Sequence, residues 1–136
     1  MLDENDVVKA VVEHLKQQGF MVQFLHTTQR GIDIIANHRI SGELIFVEAK
    51  GGTSSRVGSP RYGKVYDKSQ VFDRVAKGIY TLLQMHGNRK NDNDEFALAV
   101  PDTLLFNEYL KPIKDSLNTL GLKVFLVNES KEVVQL

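Results

Sequence analysis

Apolar residues along this chain change spacing several times, and the changes divide it into elements. Val7, Val8, Val11, Val12 and Leu15 recur at helical spacing. They predict a helix from about Glu4 to Gln18, stopped at Gly19. "FMVQFL", "GIDIIAN" and "ELIFVEAK" are short runs of the strand type, and "HRISG" joins the last two into a hairpin. "GGTSSRVGSPRYGKVY" has no periodicity and several glycines, which marks a long loop. A second helix is expected from Asp67, with Val71, Val75, Ile79 and Leu82 as its buried stripe. "HGNRKNDND" is a polar turn and "EFALAV" a strand. A third helix starts at Asp102 or Thr103, and Pro112 is expected to kink it. "LKVFLV" is a strand, and "EVVQL" is read as a last edge strand. The order α-β-β-β-α-β-α-β predicts an α/β fold, a mixed central sheet with helices on both faces.

The length of 136 residues fits one domain, 1–136, around a single core. With no cysteine there is neither a disulfide framework nor a thiolate metal site. The start, "MLDENDVVKAVVEHL", carries acids where a targeting peptide carries bases, and no run is long enough to span a membrane. A cytoplasmic protein with no membrane partner is expected. The net charge is zero, yet Lys50, Arg56, Arg61, Lys64, Lys68, Arg74 and Lys77 lie in one stretch opposed only by Asp67 and Asp73. A local positive field of that kind can attract a polyanion, and it can equally be a solvated face.

The end of "ELIFVEAK" changes the picture further. Glu48 and Lys50 are two apart and therefore point to one face of a strand. With the hairpin turn centred between Ile40 and Ser41, Asn37 faces Leu44, Ile35 faces Phe46, and Asp33 faces Glu48. Two opposed carboxylates among Ile35, Leu44 and Phe46 require a shared proton, a cationic side chain or a metal. Oxygen ligands of this kind are what Mg²⁺ prefers. The plainer alternative is the solvated polar face of an amphipathic hairpin.

"GIDIIA", a turn and then "VEAK" resembles the core of the PD-(D/E)xK nuclease superfamily, whose members include restriction endonucleases and Holliday junction resolvases. The resemblance covers about residues 4–100, with the α-β-β-β-α-β order similar to that fold. Ile32 stands where the strict motif has proline. The resemblance implies that Asp33 and Glu48 hold one or two Mg²⁺ (Mn²⁺ as substitute), with the carbonyl of Ala49 as a further oxygen ligand. It makes Lys50 the catalytic lysine. Two carboxylates beside it favour its charged form, so it is expected to orient the attacking water and stabilise the phosphate, not to act as general base. Many superfamily members add an acid from the first helix. Glu4 lies on the stripe side and Glu13 nearly opposite, so Glu4 is the better fit. Gln70 resembles a catalytic glutamine of some members, and it is equally the N3 partner of Asp67 in a capping box.

These readings converge on a Mg²⁺-dependent endonuclease acting on DNA, with RNA not excluded. Arg56, Arg61, Tyr62 and Lys64, on a loop that orders on binding, and Lys68 and Arg74, on the helix after it, form the expected nucleic-acid surface. Tyr62 and Tyr66 are its aromatic residues. No separate reading domain is visible, so specificity would come from a homodimer, a partner or DNA shape. His14, His26, His38 and His86 lack metal-ligand spacing and are expected at the surface. The alternative is a non-catalytic nucleic-acid-binding or interaction subunit of a larger nuclease or defence complex.

Overall fold

The computed structural model describes residues 1–25, 32–54, 57, 58, 60 and 62–136. The first helix, α1, spans Glu4–Gln17. Asp3 caps it: its carboxylate accepts from the Asp6 N–H, and the Asp6 carboxylate accepts from the Asp3 N–H. Gln18 closes the helix, and Gly19 takes φ +92°, a turn conformation that suits glycine. Three strands follow: β1 (Phe20–Leu25), β2 (Ile34–His38) and β3 (Leu44–Ala49). Then come α2 (Lys68–Gly87), β4 (Glu95–Pro101), α3 (Leu104–Leu110), α4 (Lys114–Thr119), β5 (Leu122–Val127) and β6 (Val133–Gln135).

The six strands form one sheet in chain order. The pairs β1–β2, β2–β3 and β5–β6 are antiparallel, while β3–β4 and β4–β5 are parallel. The expected mixed sheet is therefore present, including the edge strand from "EVVQL". The hairpin register is the expected one, with Asn37 opposite Leu44 and Ile35 opposite Phe46.

Two apolar layers sandwich the sheet. On one face, Val7, Val11 and Leu15 of α1 pack against Ile34, Ile45 and Val47 and a floor of small residues, Ala36, Ala49, Ala97 and Ala99. On the other face, α2, α3 and α4 bring Val71, Val75, Leu82, Phe106 and Leu117 onto Phe96, Leu98, Val124 and Leu126. Gly78 is the buried residue at the middle of α2, whereas Ile79, expected in the stripe, is half-buried. A Cβ at position 78 would lie 2.7 Å from Leu98 Cδ1, so the missing side chain lets α2 lie close to β4.

The third helix is broken as expected. A 3-10 turn at Lys111–Ile113 contains Pro112 and separates α3 from α4. Proline supplies no N–H and crowds the preceding turn. Thr103, one of the two anticipated starts, is the N-cap.

The described residues at the base of the loop after β3 are paired across it. Thr53 pairs with Val65 and Ser54 with Tyr62 as isolated bridges, and the Thr53 hydroxyl donates to the Lys64 carbonyl. These bonds pin the loop base to itself. No helix among the described residues is long and apolar enough to cross a membrane.

Candidate active site

The end of β3 is where both layers meet. The Lys50 N–H donates to the Ala99 carbonyl, continuing the parallel ladder to β4. In that register the next returning bond would come from Pro101, which has no N–H. The ladder stops, and the chain leaves the sheet at Gly51. There it runs against the start of α1: a Cβ at position 51 would lie 2.3 Å from the Glu4 nitrogen and 2.6 Å from the Asp3 carbonyl carbon. Only glycine permits that approach. The Gly52 N–H then donates to the Leu2 carbonyl, and the Tyr66 N–H to the Gly52 carbonyl. The first turn of α1, the end of β3 and the start of α2 are thereby tied to one point.

Asp33 precedes β2 and sits beside this point. Its N–H donates to the Val47 carbonyl. Its carboxylate Oδ2 accepts the Ala49 N–H at 2.8 Å. Within a strand, one residue's N–H and C=O point to the same edge. The Ala49 carbonyl therefore faces the Asp33 side, not β4.

Glu48 is the buried acid, 5% exposed. Oε1 meets Lys50 Nζ at 3.1 Å, and Oε2 is buried without a hydrogen-bond partner among the described residues. Burial pushes its carboxyl up to about 7, and the negative charges of Asp33 and Glu4 add to that while Lys50 opposes it. Glu4 is raised as well, first by burial and then by Asp33, with Lys50 and Arg74 pulling the other way. The structure thus brings Glu4, Asp33, Glu48 and Lys50 into one electrostatic neighbourhood. Among the described residues, however, no three acidic or histidine side chains converge closely enough to form a preassembled metal cage. Glu13 lies outside the neighbourhood, exposed and paired with Lys16.

Gln70 is engaged in the capping box. Its side-chain oxygen accepts the Asp67 N–H at 2.9 Å, and its own N–H donates to the Asp67 carboxylate at 2.9 Å. Arg74 stands near enough to lower the Glu4 carboxyl, yet it is held by Tyr66, with the guanidinium 4.8 Å from the ring centroid and one N–H donating to the phenol oxygen at 3.1 Å. Tyr66, expected to offer its ring to bases, is buried at 8% exposure in the apolar layer under α2, because its backbone is drawn in by Gly52. Tyr62 and Lys64 are exposed. Lys68 is exposed and paired with Glu108 of α3 at 2.9 Å. Arg56 and Arg61 lie outside the described residues.

The histidines differ from the expected surface positions. His14 lies edge-on to Phe125, His38 to Phe20, and His86 to Phe96, and all three are half-buried. His38 also accepts the backbone N–H groups of Ile40 and Ser41, which shapes the hairpin turn. His26 lies outside the described residues.

No family model matches the sequence, and no curated protein does. Among solved structures, the chain is similar to Pyrococcus furiosus SfsA in complex with Ca²⁺, with a TM-score of 0.44 and 15% identity. The similarity covers 97% of this chain and 58% of that one, so the chain spans little more than half of SfsA's length. A likeness this distant bears on neither activity nor ligand.

Proposed function

We propose that this chain is a metal-dependent endonuclease of the PD-(D/E)xK type acting on DNA. The observation that carries the reading is the buried, unpartnered Oε2 of Glu48 beside a second carboxylate. A buried acceptor without a donor is rare in a folded protein and calls for an explanation. A divalent cation fits, because the donors at hand are carboxylate and carbonyl oxygens with no sulfur or imidazole among them.

Asp33 and Glu48 would hold Mg²⁺, with the Ala49 carbonyl and Glu4 as further oxygens. When bound, the metal supplies positive charge for the phosphoryl oxygens and acidifies water. The chain's own groups do the rest. The Ala49 N–H fixes the rotamer of Asp33, so one oxygen is anchored and the other is aimed. Lys50 is held at Glu48, where its ammonium can donate to the attacking water or to a phosphate oxygen. Gln70 would contribute through its side-chain N–H₂, since the capping box engages only its side-chain oxygen and its backbone N–H. Arg56, Arg61, Lys64 and Tyr62 would grip the nucleic acid beside the site.

The deciding experiment incubates pure protein with labelled duplex, branched and single-stranded DNA and RNA, in Mg²⁺, Mn²⁺ or EDTA. Cleavage with either metal and none in EDTA is the expected result, and cleavage that persists in EDTA overturns it. Lys50→Arg should keep part of the activity and Lys50→Ala should lose it. A second reading, a binding subunit without catalysis, has one observation in its favour: Lys50 already gives Glu48 a cation at 3.1 Å. Nucleic-acid binding without cleavage under any metal would select that reading.

A further inference from the structure

α2 packs on β4 and β3 and beside α3. Beside its last turns, over β3 and the approach to β2, lies a pocket of about 700 Å³, within the range of small-ligand sites. Its floor is apolar: Ile32, Leu44, Phe46 and Phe96, with Met85 from α2. Gln84, Asn88 and Asn91 bring side-chain amides to its lining. Phe46 and Phe96 are stacked, centroids 5.3 Å apart and planes 13° from parallel. Phe96 is buried, while Phe46 is half-buried and leaves ring surface open to the pocket.

The charge near the pocket is balanced. Arg89 and Lys90 line it together with Asp94, and Arg89 is paired with Asp92 at 3.7 Å. Nothing there selects a bare anion. A stacked aromatic floor instead suits a flat ring, and amides that both donate and accept suit a ring with a mixed polar edge. Unpaired nucleobases have both features and are recognised by stacking on aromatic side chains with hydrogen bonds to their edges.

The pocket adjoins the acids. Ile32 directly precedes Asp33. Phe46 is two residues before Glu48 on the same face of β3, about 7 Å along the strand. We infer that this pocket receives one unstacked base of the nucleic acid whose phosphate lies at Asp33 and Glu48. The inference rests on the nuclease reading and narrows its substrate to single-stranded or locally unpaired nucleic acid, in which a base is most easily turned out of the stack.

The test uses the full chain in EDTA, so that binding is read without cleavage. Deoxy- and ribo-oligonucleotides carry a single 2-aminopurine at successive positions, placed in single strands, in mismatched duplex and in matched duplex. The expected result is an altered fluorescence at one position only, in the unpaired substrates. Phe46→Ala should abolish that signal and weaken binding roughly ten-fold or more. Because Phe46→Ala could disturb the fold, Gln84→Trp is the second variant: position 84 is exposed, and the indole would fill the pocket mouth. It should likewise remove the positional signal. If wild type binds and cleaves with Mg²⁺ but every 2-aminopurine position responds alike, the pocket takes no base while the nuclease reading stands. Unchanged signal and affinity in Gln84→Trp overturns the inference in the same way. If no oligonucleotide binds, either in EDTA or with Ca²⁺ in its place, both readings fall.

Discussion

The two rows of side chains on β3 make opposite contributions to the molecule. Ile45, Val47 and Ala49 point to α1 and are 0–1% exposed, each wholly within an apolar layer. Phe46, Glu48 and Lys50 point the other way and end in a buried carboxylate with one oxygen unpartnered. One row contributes burial, at about 25 cal/mol per Å² of apolar surface. The other holds charge where charge is unfavourable. Neighbouring residues of six-residue β3 thus divide apolar burial from charge, and the strand's period of two is what keeps them apart.

The largest expected effect tests the charged row. Asp33→Asn should reduce Mg²⁺-dependent cleavage by at least about a thousand-fold while the protein stays folded, since a ligand charge is lost and a like-charge contact relieved. Cleavage kinetics beside a thermal melt would check both halves, and undiminished turnover would leave the charged row without a catalytic role.

Next in size is a pH dependence. The Glu48 carboxyl is raised from 4.5 to about 7 in the folded chain, so between those values the folded state keeps a proton that the unfolded state has released. Its stabilising contribution is complete below pH 4.5 and is lost as pH rises through about 7. Urea melts without divalent metal should show a loss of roughly 3 kcal/mol across that window from this group. Glu48→Gln should remove that part of the slope. A variant with the wild-type slope would mean that the burial of Glu48 is relieved by some other route.

The apolar row should behave differently. Val47→Ala removes two buried carbons and should lower stability by about 2 kcal/mol, through lost transfer energy and a residual cavity. That loss should be the same at pH 5 and pH 8, because no titrating group is touched. A loss that varied with pH would show the two rows to be coupled.

The smallest effect lies furthest from the strand. Replacing Arg56, Arg61 and Lys64 together by alanine should flatten the dependence of log affinity on log salt by roughly two to three, at about 0.9 per phosphate contact. Metal affinity measured without nucleic acid should not move. Equal slopes for variant and wild type would shift the nucleic-acid surface to the helix that follows the loop.

Much of this arrangement was legible in local sequence. The α1 stripe, the hairpin register, the Asp67–Gln70 box and the cap at Thr103 depend on residues close in sequence, and each appears where the spacing places it. The pairing of Glu48 with Lys50 follows from strand period alone. What local pattern could not reveal depends on distant backbone. Asp33 bonds to the Ala49 N–H because β3 outruns β2 at that end. Tyr66 is buried because Gly52, fourteen positions earlier, draws its backbone inward. The histidines are half-buried because phenylalanines from other elements lie beside them. A signal for the crossing at Gly51 did exist, since two glycines after a buried strand mark a close approach, but the partner at Asp3 and Glu4 lay too far off to be named.

The crossing at Gly51 has a consequence for the order in which the molecule assembles. Three closures end within four residues of one another: Asp33 to Ala49, Ala99 to Lys50, and Leu2 to Gly52. The hairpin closes a short loop and can form early, but the other two each span about half a hundred residues, and such distant closures slow folding. A chain that has zipped β2 to β3 alone would hold Asp33 and Glu48 side by side in open water, with neither β4 behind them nor α1 across the exit. Glu48 becomes buried only when both distant closures are made. The raised carboxyl is therefore a late-forming property, and in a pH-jump refolding experiment its proton should be taken up with the last phase, together with native packing.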